Sequence, residues 1–190
     1  MNLKDPDIRY LYDLNNVLYD QEWIKDAPND EVYYMYRGLE RKDELRYDIT
    51  VIPAKMLGFE YNKTKGHYHP KSYGELYIIL EGRAISLIQI VDDKGELEDV
   101  YAVEAEKGDY IIIPPGSGHI TINPGKETLK MANWVYENFD SIYHPIEEKK
   151  GGAYFYTKGG WIKNKNYKNL PDLRFEAPIK KFPTDLFFLK

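Results

Sequence analysis

Three of the four histidines in this chain stand in two short blocks that also carry a carboxylate. The first reads Thr64-Lys65-Gly66-His67-Tyr68-His69 and continues through Glu75 to Gly82; the second runs from Gly108 through Pro114, Gly116 and His119 to Asn123. Side chains on a strand alternate between faces, so His67 and His69 project from one side and grip a single ion together. Neutral imidazoles with one carboxylate suit borderline first-row divalent metals, and four protein ligands leave room in an octahedral shell for water or substrate. His67, His69, Glu75 and His119 therefore predict a catalytic rather than a structural metal site. Iron, manganese, nickel, cobalt and zinc all accept this set, which implies one divalent transition metal per subunit and no organic cofactor. The fourth histidine, His144, has no such neighbours, and a lone histidine is ordinarily a packed or surface residue.

Short strands must position these blocks. Leu45, Tyr47, Ile49 and Val51 alternate with Arg46, Asp48 and Thr50, the period-two signature of a half-buried strand. Similar runs follow at residues 76–91, 100–103, 110–113, 120–122 and 128–136, separated by turns such as Asp92-Asp93-Lys94-Gly95 and Pro124-Gly125. Many short strands punctuated by Gly and Pro indicate an all-β sandwich or barrel. The stretch from Ile8 to Leu18 has a mixed rhythm that fits a short helix or an extended arm. Beyond Glu137, Tyr154, Phe155, Tyr156 and Trp161 indicate one more strand or hairpin, and Leu186-Phe-Phe-Leu189 is too apolar to stay wholly in water, so it docks on this subunit or a neighbour.

At 190 residues and 43% apolar content the chain builds one domain with a substantial core. The expected layout is a single domain over 1–190: an N-terminal arm 1–44, a barrel core of about 45–140 and a C-terminal wrapping extension 141–190. The formal charge of −5 and the absence of a basic stripe argue against nucleic acid or an anionic membrane as partner, and an anionic substrate needs a local exception. With no cysteine there is neither a disulfide framework nor thiol chemistry. No apolar run has signal-peptide or membrane-spanning length, so the expected location is the cytoplasm.

The two glycine-bracketed blocks, His67-x-His69-x5-Glu75-x6-Gly82 and Gly108-x5-Pro114-x-Gly116-x2-His119-x3-Asn123, resemble the cupin superfamily. In these double-stranded β-helix, or jelly-roll, barrels the first block supplies two histidines and a glutamate and the second supplies the third histidine. The Thr64-to-His69 string, with Glu75-Leu76-Tyr77 beyond it and Thr50 before it, is similar to the phosphate- and metal-binding core of the cupin-type glucose-6-phosphate isomerases of archaea and some bacteria. Arg9, Leu11, Asp13, Asp20, Trp23 and the run 30–36 resemble that family's N-terminal arm, and residues 142–151 its region after the barrel, so the resemblance covers about residues 8 to 160.

The resemblance implies a metal-dependent aldose–ketose isomerase of glycolysis and gluconeogenesis, interconverting glucose 6-phosphate and fructose 6-phosphate. The residues agree. The hydroxyls of Thr50, Thr64 and Tyr77 and the backbone N–H of Gly66 are short neutral donors able to converge on a phosphate, with Lys65 a possible added charge. Strand threonines and tyrosines are ordinarily just good β-formers; their position beside the two histidines singles these out. Glu75 is the candidate base as well as a ligand, because the other nearby ionisable groups are imidazoles or tyrosines.

Two departures bear on the substrate. Gly116 and Ser117 stand where the family tends to carry an aromatic residue, and the family's later histidine near the sugar is unmatched, with His144 a few positions away. A cupin acting on another phosphorylated sugar, or a non-catalytic sugar-phosphate binding protein, is the competing reading. Cupin sheet edges often pair between subunits, which implies a homodimer.

Overall fold

A computed structural model describes residues 5–138 and 140–189. Among these, the strands are β1 (Asp7–Tyr10), β2 (Glu31–Lys42), β3 (Leu45–Ile52), β4 (Met56–Leu57), β5 (Glu60–Tyr61), β6 (His67–Tyr68), β7 (Glu75–Glu81), β8 (Arg83–Val91), β9 (Leu97–Glu106), β10 (Tyr110–Ile113), β11 (Gly118–Ile122), β12 (Leu129–Tyr136), β13 (Tyr154–Thr157), β14 (Gly160–Lys163) and β15 (Arg174–Glu176). Short helices α1 (Trp23–Asp26) and α2 (His144–Glu148) and 3-10 turns at Leu11–Val17 and Phe187–Leu189 complete them.

The strands form a six-stranded sheet, β1-β2-β3-β12-β7-β10, a five-stranded sheet, β15-β9-β8-β11-β6, and a small sheet, β14-β13-β5-β4. The two larger sheets contribute to one apolar core, which includes Ile79, Ile111 and Met131 from the first and Leu87, Ile88 and Ile120 from the second. Each such fully buried side chain contributes about 1.5–3 kcal/mol by leaving water. The expected hairpin is β13–β14, with Tyr154 opposite Lys163. The stretch from Ile8 proves to be both extended and helical, since β1 pairs with β2 before the chain coils into the 3-10 turn.

Period-two alternation in β3 is present, but its polar set faces the barrel. Asp48, Thr50 and Ile52 are buried, whereas Tyr47, Ile49 and Val51 are half-buried on the other side, where Tyr47 packs on Trp134 at 5.0 Å. The inner surface is polar here because it lines a site rather than a core.

Two fastenings hold the chain's ends to this barrel. Near the N-terminus, Lys63 Nζ lies 2.8 Å from Glu60 and donates to the carbonyl of Val17 at 2.8 Å, while Glu60 accepts from the N–H of Tyr19 at 2.8 Å. Both charged groups are buried, so breaking either partner leaves an uncompensated charge. At the other end, Leu189 is buried with Leu45 and Leu76, and the Phe188 carbonyl accepts from the N–H of Gly74 at 3.1 Å. The apolar tail thus docks on its own chain. Gly74 has no room for a Cβ, which would stand 2.7 Å from that carbonyl.

Candidate metal centre

β6 and β11 pair antiparallel with His67 directly opposite His119. His69 follows β6 with its ring stacked on that of His67, centroids 5.2 Å apart and 16° between planes, as expected for two residues on one face. The His119 ring lies 4.5 Å from His67 and 5.0 Å from His69. Glu75 enters from the start of β7 in the opposite sheet, and its Oε2 stands 3.2 Å from His69 Nε2 and 3.5 Å from His119 Nε2. One potential ligand atom from each of the four residues lies within 4.8 Å of the others.

The donor set fits a divalent cation. Glu75 Oε2 is buried with no hydrogen-bond partner, a costly state for a carboxylate oxygen unless a cation completes it. Burial, reinforced by His69 and Arg37, pushes the His67 imidazole down to about 3. Burial and the two neighbouring histidines hold His119 well below its ordinary value. Both rings are therefore neutral near pH 7, the protonation state that ligates. The carbonyl of Tyr73 lies 3.1 Å from His69 Nδ1. Its acceptor oxygen fixes the tautomer with Nδ1 protonated, which leaves Nε2 facing the cluster.

A pocket with about 620 Å³ of empty space, counted to its mouth, opens onto this cluster. Thr50, Thr64, Gly66 and Tyr77 all line it. Thr64 Oγ1 accepts from the N–H of Thr121 at 3.0 Å and retains its own proton to donate. Gly66 sits at φ +81°, and a Cβ there would stand 2.4 Å from Ile120 Cγ1, so glycine is required and its backbone is bare. The Tyr77 hydroxyl reaches the metal end of the pocket, 2.8 Å from His119 Nε2, and burial with the neighbouring Glu75 raises it well above the ordinary tyrosine range.

Other residues singled out in the sequence stand elsewhere. Lys65 turns away to pair with Glu147 at 2.6 Å. The His144 side chain is 76% exposed, 3.5 Å from Glu148, and Ser141 and Tyr143 line the pocket where that segment passes. Gly116 lines a separate cavity with Pro70 and Lys71, and the Ser117 hydroxyl donates to the Pro114 carbonyl at 2.6 Å. Neither lines the pocket that opens onto His67, Glu75 and His119, although the Ser117 carbonyl accepts from the His69 N–H at 2.9 Å.

Sequence reasoning missed Tyr33, Arg37, Arg46, Asp48 and Asn133, all pocket residues. A signal was present for two of them. Thr50 is a predicted site residue, and Asp48 and Arg46 share its parity on the same strand. Asp48 is directly opposite Asn133, which is opposite Tyr77, so one inward-facing row crosses three strands.

Two facing sheets, antiparallel except for the β15–β9 pair, with three histidines and a glutamate converging at one end define a cupin barrel with a divided metal-binding motif. The chain matches the family model described as glucose-6-phosphate isomerase over residues 8–172, and it belongs to that family. It is 29% identical to the glucose-6-phosphate isomerase of Thermococcus gammatolerans over 82% of each chain. It is 32% identical to that of Thermococcus litoralis over 75% of each. A bacterial relative, the putative glucose-6-phosphate isomerase 1 of Rhizobium meliloti, is 32% identical over 76% of this chain and 70% of its own. Among solved structures, an oxalate oxidase superposes with a TM-score of 0.49 at 17% identity, covering 64% of this chain and 58% of that one.

Proposed function

We propose that this protein interconverts glucose 6-phosphate and fructose 6-phosphate, with a divalent transition metal held by His67, His69, Glu75 and His119. The observation that carries this reading is the convergence of those four residues, in a family of this name, at the closed end of a pocket lined by hydroxyls. The bound ion supplies electrophilic polarisation of the sugar oxygens at C1 and C2. The chain does the rest. Thr50, Thr64 and the Gly66 N–H bind the phosphate, and their hold on a group remote from the reacting carbons orients C1 and C2. Glu75 takes the proton from C2 of the open-chain aldose and returns it to C1, and the hydroxyl proton passes between the two oxygens, so no atom is gained or lost. Tyr77, close to His119, donates a hydrogen bond to the sugar at the reacting end.

This reading extends to one domain over residues 1–190, to a soluble cytoplasmic location and to a homodimer. Among the described residues no helix is long and apolar enough to cross a membrane. β1 ends the six-stranded sheet, with Tyr10 39% exposed, and offers an edge for pairing.

The test is conversion of fructose 6-phosphate by protein stripped with a chelator and then resupplied with iron(II), manganese, nickel, cobalt or zinc. Turnover restored by at least one ion supports the isomerase and names the usable metals. Confirmed metal uptake with no turnover would move the assignment to another phosphorylated sugar or to binding alone. In deuterated water, label entering C2 of the glucose 6-phosphate formed supports the proton-transfer role of Glu75; its complete absence would indicate a hydride shift.

A further inference from the structure

Resting on the isomerase reading above, we propose that Arg37, on the inward face of β2 where a β-bulge pinned by Asp48 begins, supplies the positive charge that holds the substrate's phosphate. A chain of net charge −5 has to create a local exception before a phosphate dianion will enter. Among the described residues lining the pocket, Arg37 and Arg46 are the two cations. Arg46 is already engaged, since its Nε lies 2.9 Å from both oxygens of the buried Asp48 carboxylate. Arg37 is not neutralised in the same way. Its Nη1 stands 3.8 Å from Asp48, beyond hydrogen-bond reach, and its Nε bonds Asp7 at 3.2 Å on the rim, where the Asp7 side chain is 67% exposed and screened by water.

Strand alternation puts Arg37 on the inward face of β2 with Tyr33 and Met35, which also line the pocket. Register between β2 and β3 runs regularly to Tyr36 opposite Ile49, breaks, and resumes at Glu40 opposite Tyr47. Gly38 sits in that break at φ +65°, and its N–H donates to Asp48 Oδ1 at 2.7 Å. The bulge ends regular pairing just beyond Tyr36, and the buried Asp48 carboxylate holds it in place. Thr50 lies on the same wall, opposite Met35, one inward position along β2 from Arg37. The hydroxyls of Thr50 and Thr64 and the Gly66 N–H offer directional but uncharged donors, and Lys65 points away. The Arg37 guanidinium adds the charge, with a planar fork that matches phosphate geometry.

Three proteins decide the matter, all loaded with manganese: wild type, Arg37→Met and Arg37→Lys. The Arg37→Met variant is expected to weaken binding of inorganic phosphate, read by calorimetry, and to raise the KM for fructose 6-phosphate, each by roughly tenfold or more. kcat should stay within about threefold and manganese affinity unchanged, because lost ground-state binding moves KM alone. Arg37→Lys, which keeps the charge without the fork, should recover part of both losses. Phosphate affinity unchanged in Arg37→Met overturns the proposal, and a raised KM with unchanged phosphate affinity would hand Arg37 to the sugar hydroxyls, also overturning it. Loss of manganese in Arg37→Met would make its role structural and sink the assignment. Absence of turnover in the wild type with every one of the five ions would defeat the isomerase reading instead, while the calorimetric comparison would still decide for or against Arg37.

Discussion

At the closed end of the pocket three imidazoles and a carboxylate converge within 4.8 Å, three of the four residues buried and the His67 and His119 rings held neutral by burial. Across the pocket Arg37, Arg46 and Asp48 come from two long paired strands and form ion pairs, with the Arg37 side chain 38% exposed. The closed end is a site waiting for charge and the open end a site that carries it. Removing a member of the first should therefore abolish chemistry, whereas removing a member of the second should weaken binding and spare chemistry.

The sharpest way to break that contrast is His119→Ala. It should strip the metal and lower turnover more than about a hundredfold, since one of four ligands is gone. Full metal occupancy in the variant, measured by elemental analysis, would show that the ligand set is wrong.

The closed end is also braced from outside, because Leu76 next to Glu75 packs on Leu189 and Gly74 bonds the Phe188 carbonyl. Leu189→Ala should cost about 2–4 kcal/mol of unfolding free energy in a urea titration. An unchanged midpoint would mean that the tail is a passive cover.

Protons test the neutrality of this end. In the unfolded chain a histidine titrates near 6.5, roughly where water leaves it. In the folded chain His67 does so at about 3, and His119 well below its ordinary value. Above pH 6.5 neither state binds these protons and they contribute no pH dependence. Between about 6.5 and 3 the unfolded chain takes them up and the folded site refuses them, so the metal-free protein loses stability as pH falls. The ceiling on the slope is about 1.4 kcal/mol per pH unit for each histidine. Urea midpoints at pH 7 and pH 5 should therefore separate more in wild type than in His119→Ala; equal separations would contradict the neutral, buried cluster.

At the hydroxyl-lined wall, Thr64→Val should raise KM for fructose 6-phosphate by about two- to tenfold with metal content unchanged, the range expected for one neutral hydrogen bond. An unchanged KM would remove Thr64 from the phosphate site. The smallest effect belongs to His144→Ala, for which kinetics indistinguishable from wild type are expected; a change in either constant would bring that exposed histidine into the reaction.

The same contrast describes what was legible in advance. The metal cluster was, because its determinants are local: strand alternation puts His67 and His69 on one face over three consecutive residues, and turn glycines bracket each block. Family resemblance added Thr50, Thr64, Gly66 and Tyr77, and all four line the pocket. The charged wall was not read. In β3 the apolar residues alternate correctly, and hydrophobic periodicity alone assigns the apolar set to the inside; in a barrel whose interior is an active pocket, that assignment inverts.

By itself, then, the sequence determined an all-β barrel, the four residues able to hold a metal and the glycine that lets the backbone approach a ligand, since each depends on spacing along a few residues or on a side chain's own chemistry. Tertiary structure alone decided that Lys65 and His144 face away, that the tail's Leu189 covers the strand carrying Glu75, and that Arg37 shares one pocket with Thr50, Thr64 and Gly66. Those outcomes depend on pairing between segments distant in the chain, where a shift of one residue exchanges the inside of a strand for its outside.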